Sequence, residues 1–201
     1  MLDRLALKLV KPATEAAARQ LARHGLTADQ MTLAGFGFGM IAAILIACGF
    51  TTLAILPLLV NRALDGVDGA LARLTAPSER GAFLDIALDF VFYAAVPLAF
   101  AAAEPAANAL PAALLLAAFL ATGTSFLAFA VIAEKRGLKS TAYPSKSFYY
   151  LGGLTEGTET ILCFLAMCLW PAHFPLIALI YAAMCAVTVT TRLIAGWKAF
   201  G

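Results

Sequence analysis

Four aspartates have the types and spacing to do chemistry. Asp65 and Asp68 are three positions apart, and Asp85 and Asp89 are four apart. At helical spacing each pair shares one face. Both pairs fall inside apolar stretches, where a carboxylate is costly and usually functional. At ~1.5 Å per residue, Asp65 and Asp89 each lie roughly 12 Å from the turn between their helices, and Asp68 and Asp85 about half as deep. Two antiparallel neighbouring helices joined by a short loop would bring all four carboxylates into one pocket. Four such charges stay ionised together only with cations or protons to answer them. Oxygen ligands select Mg²⁺, Mn²⁺ or Ca²⁺ over zinc. Four carboxylates suit a two-metal site, which fits displacement at phosphorus. A proton or sodium pathway and a structural metal site are the other uses of such a cluster.

Small residues are interleaved with these acids. Gly66, Gly69 and Ala72 lie among them, and Arg73 follows Gly69 by one turn. Small positions allow close approach of another backbone or of a phosphate-bearing ligand. A small and a cationic position one turn apart, beside a metal site, would suit a diphosphate.

The elements that must position these residues follow from composition. The chain has 201 residues, 62% hydrophobic and 13% charged, with a net charge of +2. Its mean hydropathy is +0.88. Such values exclude a water-soluble globule, a disordered chain and a basic nucleic-acid binder. They predict an all-α integral membrane protein, because the apolar runs are long and do not alternate as barrel strands do. Residues 1–25 read as an amphipathic helix on the membrane surface, since Arg4, Lys8, Lys11, Arg19 and Arg23 alternate with apolar residues. Six spans follow over residues 28–197, at about 28–50 (with Thr27 as N-cap), 52–73, 82–103, 111–133, 156–169 extended a little upstream, and 174–197. Pro111 and Pro175 are expected at helix starts. All 14 Lys and Arg then fall on one side, which the positive-inside rule makes cytoplasmic, with both termini there. No second domain or repeat is evident. Cys48, Cys163, Cys168 and Cys185 read as small helix-packing residues.

Asp65-x-x-Asp68-Gly69-x-x-Ala72-Arg73, seven residues, then Gly81-x-x-x-Asp85-x-x-x-Asp89 resembles the signature of the CDP-alcohol phosphotransferase (phosphatidyltransferase) family. Every fixed position is filled. The motif covers about 25 residues, and the six-span layout extends the likeness to most of the chain. The resemblance implies transfer of a phosphatidyl group from CDP-diacylglycerol to the hydroxyl of a small polar acceptor, with release of CMP, in phospholipid biosynthesis. It implies two divalent cations, Mg²⁺ or Mn²⁺, on Asp65, Asp68, Asp85 and Asp89, with Asp89 also the general base. Asp68, Gly69 and Arg73 would line the CDP site, Gly81 would give room beside it, and Thr32 fits the family's stretch at the first span. There, Ala28 and Asp29 replace the usual Pro-Asn pair. A homodimer in the bacterial inner membrane, active site facing the cytoplasm, is expected, and Gly35, Gly37 and Gly39 would permit close helix contacts. Transfer of a phosphoalcohol from a CDP-linked small alcohol to a lipid hydroxyl, and a cation or proton transporter, are the alternatives. Retention of Gly69, Ala72 and Arg73 argues against transport.

The acceptor is less legible. Lys135, Lys139, Lys146 and Arg192 could hold a phosphorylated acceptor, or simply serve positive-inside charge and anionic lipid. Glu156 and Glu159 open the fifth span, where N-capping is the expected role and contact with a cationic acceptor the other. Arg62 lies one turn from Asp65 and is placed to pair with it.

Overall fold

Lipid is as apolar as leucine, so helices in a membrane are held by close packing more than by the hydrophobic effect. Small residues and aromatic rings carry that packing here. A computed structural model of the chain describes residues 3–137 and 153–201, with side chains from Val10 onward. Among the described residues the structure is helical: α1 (Asp3–Arg23), α2 (Ala28–Ala47), α3 (Thr51–Leu74), α4 (Glu79–Ala103), α5 (Pro105–Lys135), α6 (Gly157–Leu169) and α7 (Phe174–Phe200), the last preceded by a 3-10 turn, Pro171–His173.

Helix boundaries follow local chemistry. Thr27 and Gln30 form a reciprocal capping box at the start of α2, with bonds of 3.3 and 3.0 Å. Ser78 accepts the Gly81 N–H at 3.0 Å, so α4 begins at Glu79, before the expected Ala82. The helix expected from Pro111 begins instead at Pro105, which takes the first-turn place, and Pro111 lies within α5. Proline is tolerated inside such helices, as Pro57 is in α3 and Pro97 in α4. The upstream extension of α6 is absent over residues 153–156. There the Gly153 amide goes to the Glu156 carboxylate, and the Leu154 and Thr155 amides go to Thr188 Oγ1, each at 3.1 Å, so these donors serve no helix.

The spatial order departs from the expected pairing of α3 with α4. Those two helices are not closely packed together; α2 packs against both. Gly35 lets α2 approach Leu64 and Asn61 of α3, and a Cβ at Gly39 would sit 2.7 Å from the Phe92 ring of α4. Gly37 has open space beside it. Followed through their contacts, the helices close a circuit: α3, α2, α4, α5, α7, α6 and back to α3. One end of this ring is filled. Phe92, Tyr93, Phe119, Phe164 and Tyr181 meet at centroid distances of 5.8–6.3 Å, each pair worth about 0.5–1.5 kcal/mol. Phe100 stacks on Phe174 at 4.5 Å. Cys163, Cys168 and Cys185 are buried here as expected, but Cys48 lies past the end of α2 and is exposed.

Outside the ring, α1 lies against α3. Ala18, Met31, Val67, Ala70 and Leu71 form a second core there, and Gly66 admits Thr14 at 3.3 Å. Lys11, Arg19 and Arg23 face outward, as an amphipathic surface helix requires. Helices α2, α4, α5 and α7 with its leading turn are long and apolar enough to cross a membrane, and the chain is an integral membrane protein. Helix α3 has the length but carries Arg62, Asp65, Asp68 and Arg73. Helix α6 has 13 residues, about 20 Å at helical rise.

Candidate active site

The space left between α3 and α4 is where their acidic faces meet. One carboxylate oxygen each from Asp65, Asp85 and Asp89 lies within 4.8 Å of the others. Oxygens so spaced, with no sulfur or imidazole among them, fit a hard divalent cation. Asp68 stands beside this trio. It is buried, and its Oδ2 accepts the Thr32 hydroxyl at 2.6 Å. All four aspartates line one narrow cleft with Thr32 and Asn61, and Asn61 donates to the Gly35 carbonyl at 2.9 Å, fixing α2 against α3. Arg62 donates from Nη1 to Asp65 Oδ2 at 2.5 Å, tying that carboxylate to its own helix beside the trio.

Two larger cavities reach these acids. The first, of about 530 Å³, is walled by the start of α2, the end of α3 and the start of α4, including Thr32, Asp68, Gly69, Arg73, Gly81 and Asp85. Arg73 arches over Gly69, where a Cβ would be 3.5 Å from its Nη1. That is ordinary contact, so chain packing alone does not require glycine at 69. Gly81 is different: a Cβ would meet Asp29 Oδ1 at 2.9 Å and Ser78 Oγ at 3.1 Å. Asp29 in turn binds Arg80 through Nε at 2.8 Å and Nη2 at 2.5 Å, joining the starts of α2 and α4 along this cavity's wall.

The second cavity, of about 270 Å³, lies inside the ring. Arg62, Asp65, Asp85 and Asp89 form one side; α5, the start of α6 and α7 supply Phe126, Thr122, Glu156, Thr160 and Arg192. Its floor is the aromatic filling, with Tyr93 and Phe119 shared between them. Gly123 faces Phe90, whose ring would be 2.5 Å from a Cβ there.

The structure thus joins Asp65, Asp68, Asp85, Asp89 and Thr32 at one cleft, and Gly69, Arg73 and Gly81 at the first cavity. Of the basic candidates for the acceptor, Arg192 reaches the second cavity. Lys135 is exposed in the last turn of α5, and Lys139 and Lys146 lie outside the described residues. The expected N-capping role of Glu156 is not seen; its side chain makes no cap bond to α6. Nothing in the motif points to Asn61, Tyr93, Thr122, Thr155 or Thr160. Their shared signal is a polar side chain within an apolar run.

Comparison with known proteins agrees with this geometry. Residues 26–194 match the CDP-alcohol phosphatidyltransferase family model. The chain is 49% identical over 197 residues to the inner membrane protein YnjF of Escherichia coli (strain K12), covering 98% of this chain and 96% of that one. Its fold is that of a phosphatidylinositol phosphate synthase, PgsA1, of Mycobacterium tuberculosis. In a structure of PgsA1 with CDP-DAG bound, the TM-score is 0.68 at 24% identity, over 92% of this chain and 93% of that one. In another, with manganese and citrate, it is 0.67 at 24% identity, over 92% and 88%. With the motif intact and its acids gathered at one cleft, the chain is a transferase of the CDP-alcohol phosphatidyltransferase family.

Proposed function

We propose that this enzyme moves a phosphatidyl group from CDP-diacylglycerol to the hydroxyl of a small polar acceptor and releases CMP, in phospholipid biosynthesis. The observation that carries the reading is the pair of cavities that both reach Asp85, one walled by the motif and one enclosed by the ring. A transfer between two substrates needs two such rooms meeting at one reactive point. The CDP-DAG bound to PgsA1, which shares this fold, supports the choice of donor.

In this reading Asp65, Asp85 and Asp89 hold one divalent cation, and Asp68 joins Asp65 and Asp85 in holding a second. Mg²⁺ or Mn²⁺ bound there would supply Lewis-acid charge to the phosphoryl oxygens. Arg62 holds Asp65 in place through its 2.5 Å bond. Arg73 faces the diphosphate from above Gly69, where the missing side chain leaves room for it. Thr32 orients Asp68. Asp89, common to the trio and the second cavity, takes the proton from the acceptor hydroxyl as its oxygen attacks phosphorus. CMP leaves toward the first cavity.

The chain is read as one catalytic domain in a bacterial inner membrane, with α2–α7 as six spans and α1 on the cytoplasmic surface. The basic residues at the ends of α3, α5 and α7 support this orientation. A homodimer belongs to the same reading, resting on the family resemblance. The test is CMP release by the purified protein in detergent, with CDP-diacylglycerol, Mg²⁺ or Mn²⁺, and a panel of acceptor alcohols. Metal-dependent release that needs an acceptor is expected. Absence of release with every acceptor, or release undiminished by excess EDTA, would overturn the reading.

A further inference from the structure

The acidic cluster is divided between two helices that do not hold each other. Asp65 and Asp68 belong to α3, Asp85 and Asp89 to α4, and the helix packed on both is α2. The gap between the two acidic faces is therefore set by how α2 seats on each. One side chain takes part in both seats. Asn61 lies one turn before Asp65 and is 7% exposed. Its Nδ2 donates to the Gly35 carbonyl at 2.9 Å. The same nitrogen would be 3.1 Å from a Cβ at Gly39, and the Phe92 ring of α4 would be 2.7 Å from that Cβ. Asn61 and Phe92 thus close on Gly39 with no room for a methyl group between them. Phe92 is 1% exposed and meets Phe164 edge-on, so its ring has little freedom to turn away. Gly35 brings the backbones together as well, since its Cβ would lie 3.9 Å from the Asp65 backbone nitrogen. Asn61, Gly39 and Phe92 form a strip that spans the gap one turn beyond Asp65 and Asp89.

We propose that Asn61 is a positioning residue that sets the width of the acidic cleft, and so makes the site choose its cation by size. The inference rests on the reading above that these acids bind divalent cations. Asn61 and Gly35 line the cleft together with the four aspartates, and its volume is about 10 Å³, close to the least that holds one water. Carboxylate charge alone does not separate Mg²⁺ from Ca²⁺; cavity size and rigidity do. Ligand oxygens stand about 2.0–2.1 Å from Mg²⁺ and about 2.3–2.6 Å from Ca²⁺. Carboxylates on opposite sides of Ca²⁺ would therefore stand roughly 0.4–1.2 Å farther apart than around Mg²⁺. Close-packed helices do not give that distance freely. Opening the gap between α3 and α4 stretches the Asn61 bond to Gly35 or lifts α2 from Phe92, and closing the gap drives Phe92 into Gly39. The strip resists both movements, and a cation too large for the cleft must work against it.

The test uses the full-length protein in detergent without substrates. Mn²⁺ is the probe, and its unbound fraction is read by electron paramagnetic resonance while Mg²⁺ or Ca²⁺ is added. The native protein is expected to lose Mn²⁺ to Mg²⁺ at a lower concentration than to Ca²⁺. Asn61→Ala removes the bond to α2, and Gly39→Ala wedges α2 away from Phe92. Each should move the ratio of the two displacing concentrations toward Ca²⁺ by about 3- to 10-fold. Gly37→Ala, on α2 but with open space beside it, should leave the ratio unchanged. A merely structural loss would weaken both competitors together and would not move their ratio. Should neither variant fold, the native ranking decides alone: Ca²⁺ displacing Mn²⁺ as readily as Mg²⁺ does, or more readily, overturns the inference. An unchanged ratio in either folded variant, or a shift matched by Gly37→Ala, overturns it too. Those results leave the cation reading standing, whereas a native protein that binds no Mn²⁺ overturns both.

Discussion

The two cavities that meet at the aspartates are built in opposite ways. The first is made by three helix ends and draws its wall from the stretch between Thr27 and Asp85. The second draws on α3, α4, α5, α6 and α7, with residues from Arg62 to Arg192. The first therefore depends on local geometry: one capping box, one turn and helical spacing. The second depends on closure of the whole ring, and on α2 holding α3 and α4 apart. In the proposed reading the first would take the donor and the second the acceptor.

The effect expected to be largest spans both cavities. Removing divalent cations with EDTA should abolish turnover, and Mg²⁺ or Mn²⁺ should restore it, because the trio of oxygens within 4.8 Å serves both substrates. Undiminished turnover in EDTA would separate the acids from the chemistry. Next, Arg73→Ala should act on the first cavity alone. Loss of a charge-assisted contact to phosphate is worth about 1.5–3 kcal/mol, so the KM for CDP-diacylglycerol should rise while acceptor KM stays. A rise in acceptor KM instead would show that the two rooms are misassigned.

Gly123→Ala probes the second cavity by shape. Its Cβ would come within 2.5 Å of the Phe90 ring, which must swing, at about 1–3 kcal/mol for overpacking. Acceptor KM should rise severalfold and donor KM should not. The smallest effect is expected at Asp29→Asn. Its ion pair with Arg80, a side chain 79% exposed, is worth at most about 1 kcal/mol. Donor KM should change by no more than a few-fold, and a loss of activity as large as that of Arg73→Ala would mean that this pair holds the nucleotide itself.

The same contrast explains what could be read from the sequence. The first cavity was legible because its residues lie at helical intervals within one stretch, and period and spacing report such arrangements directly. Gly81 lines this cavity, and its close contacts with Asp29 and Ser78 are a second reason for glycine there that no local pattern reveals. Gly66, for which close packing is one of the two readings, meets Thr14 of α1. The second cavity was mostly illegible because it is a property of helix order. Arg192 stands out only as a basic residue on the expected cytoplasmic side; Thr122 and Tyr93 give no signal beyond polarity in an apolar run. Glu156 is expected to cap because it opens the fifth span, and only the turn from Gly153 shows its side chain going elsewhere. The separation of α3 from α4 by α2 is likewise absent from any local pattern.

The central claim is that chemistry occurs at the acidic cluster both cavities reach, with Asp89, which lines the second, as the base. Asp89→Asn keeps the side chain's shape and one oxygen but removes its charge and basicity. Donor binding and single-turnover CMP release, measured on the same purified variant, test the claim directly. The account predicts that CDP-diacylglycerol still binds, held through Asp65, Asp68 and Asp85, while turnover falls by at least the ~10²–10⁴-fold typical of a lost general base. Near-normal turnover would contradict it, and loss of donor binding together with turnover would make Asp89 chiefly a metal ligand.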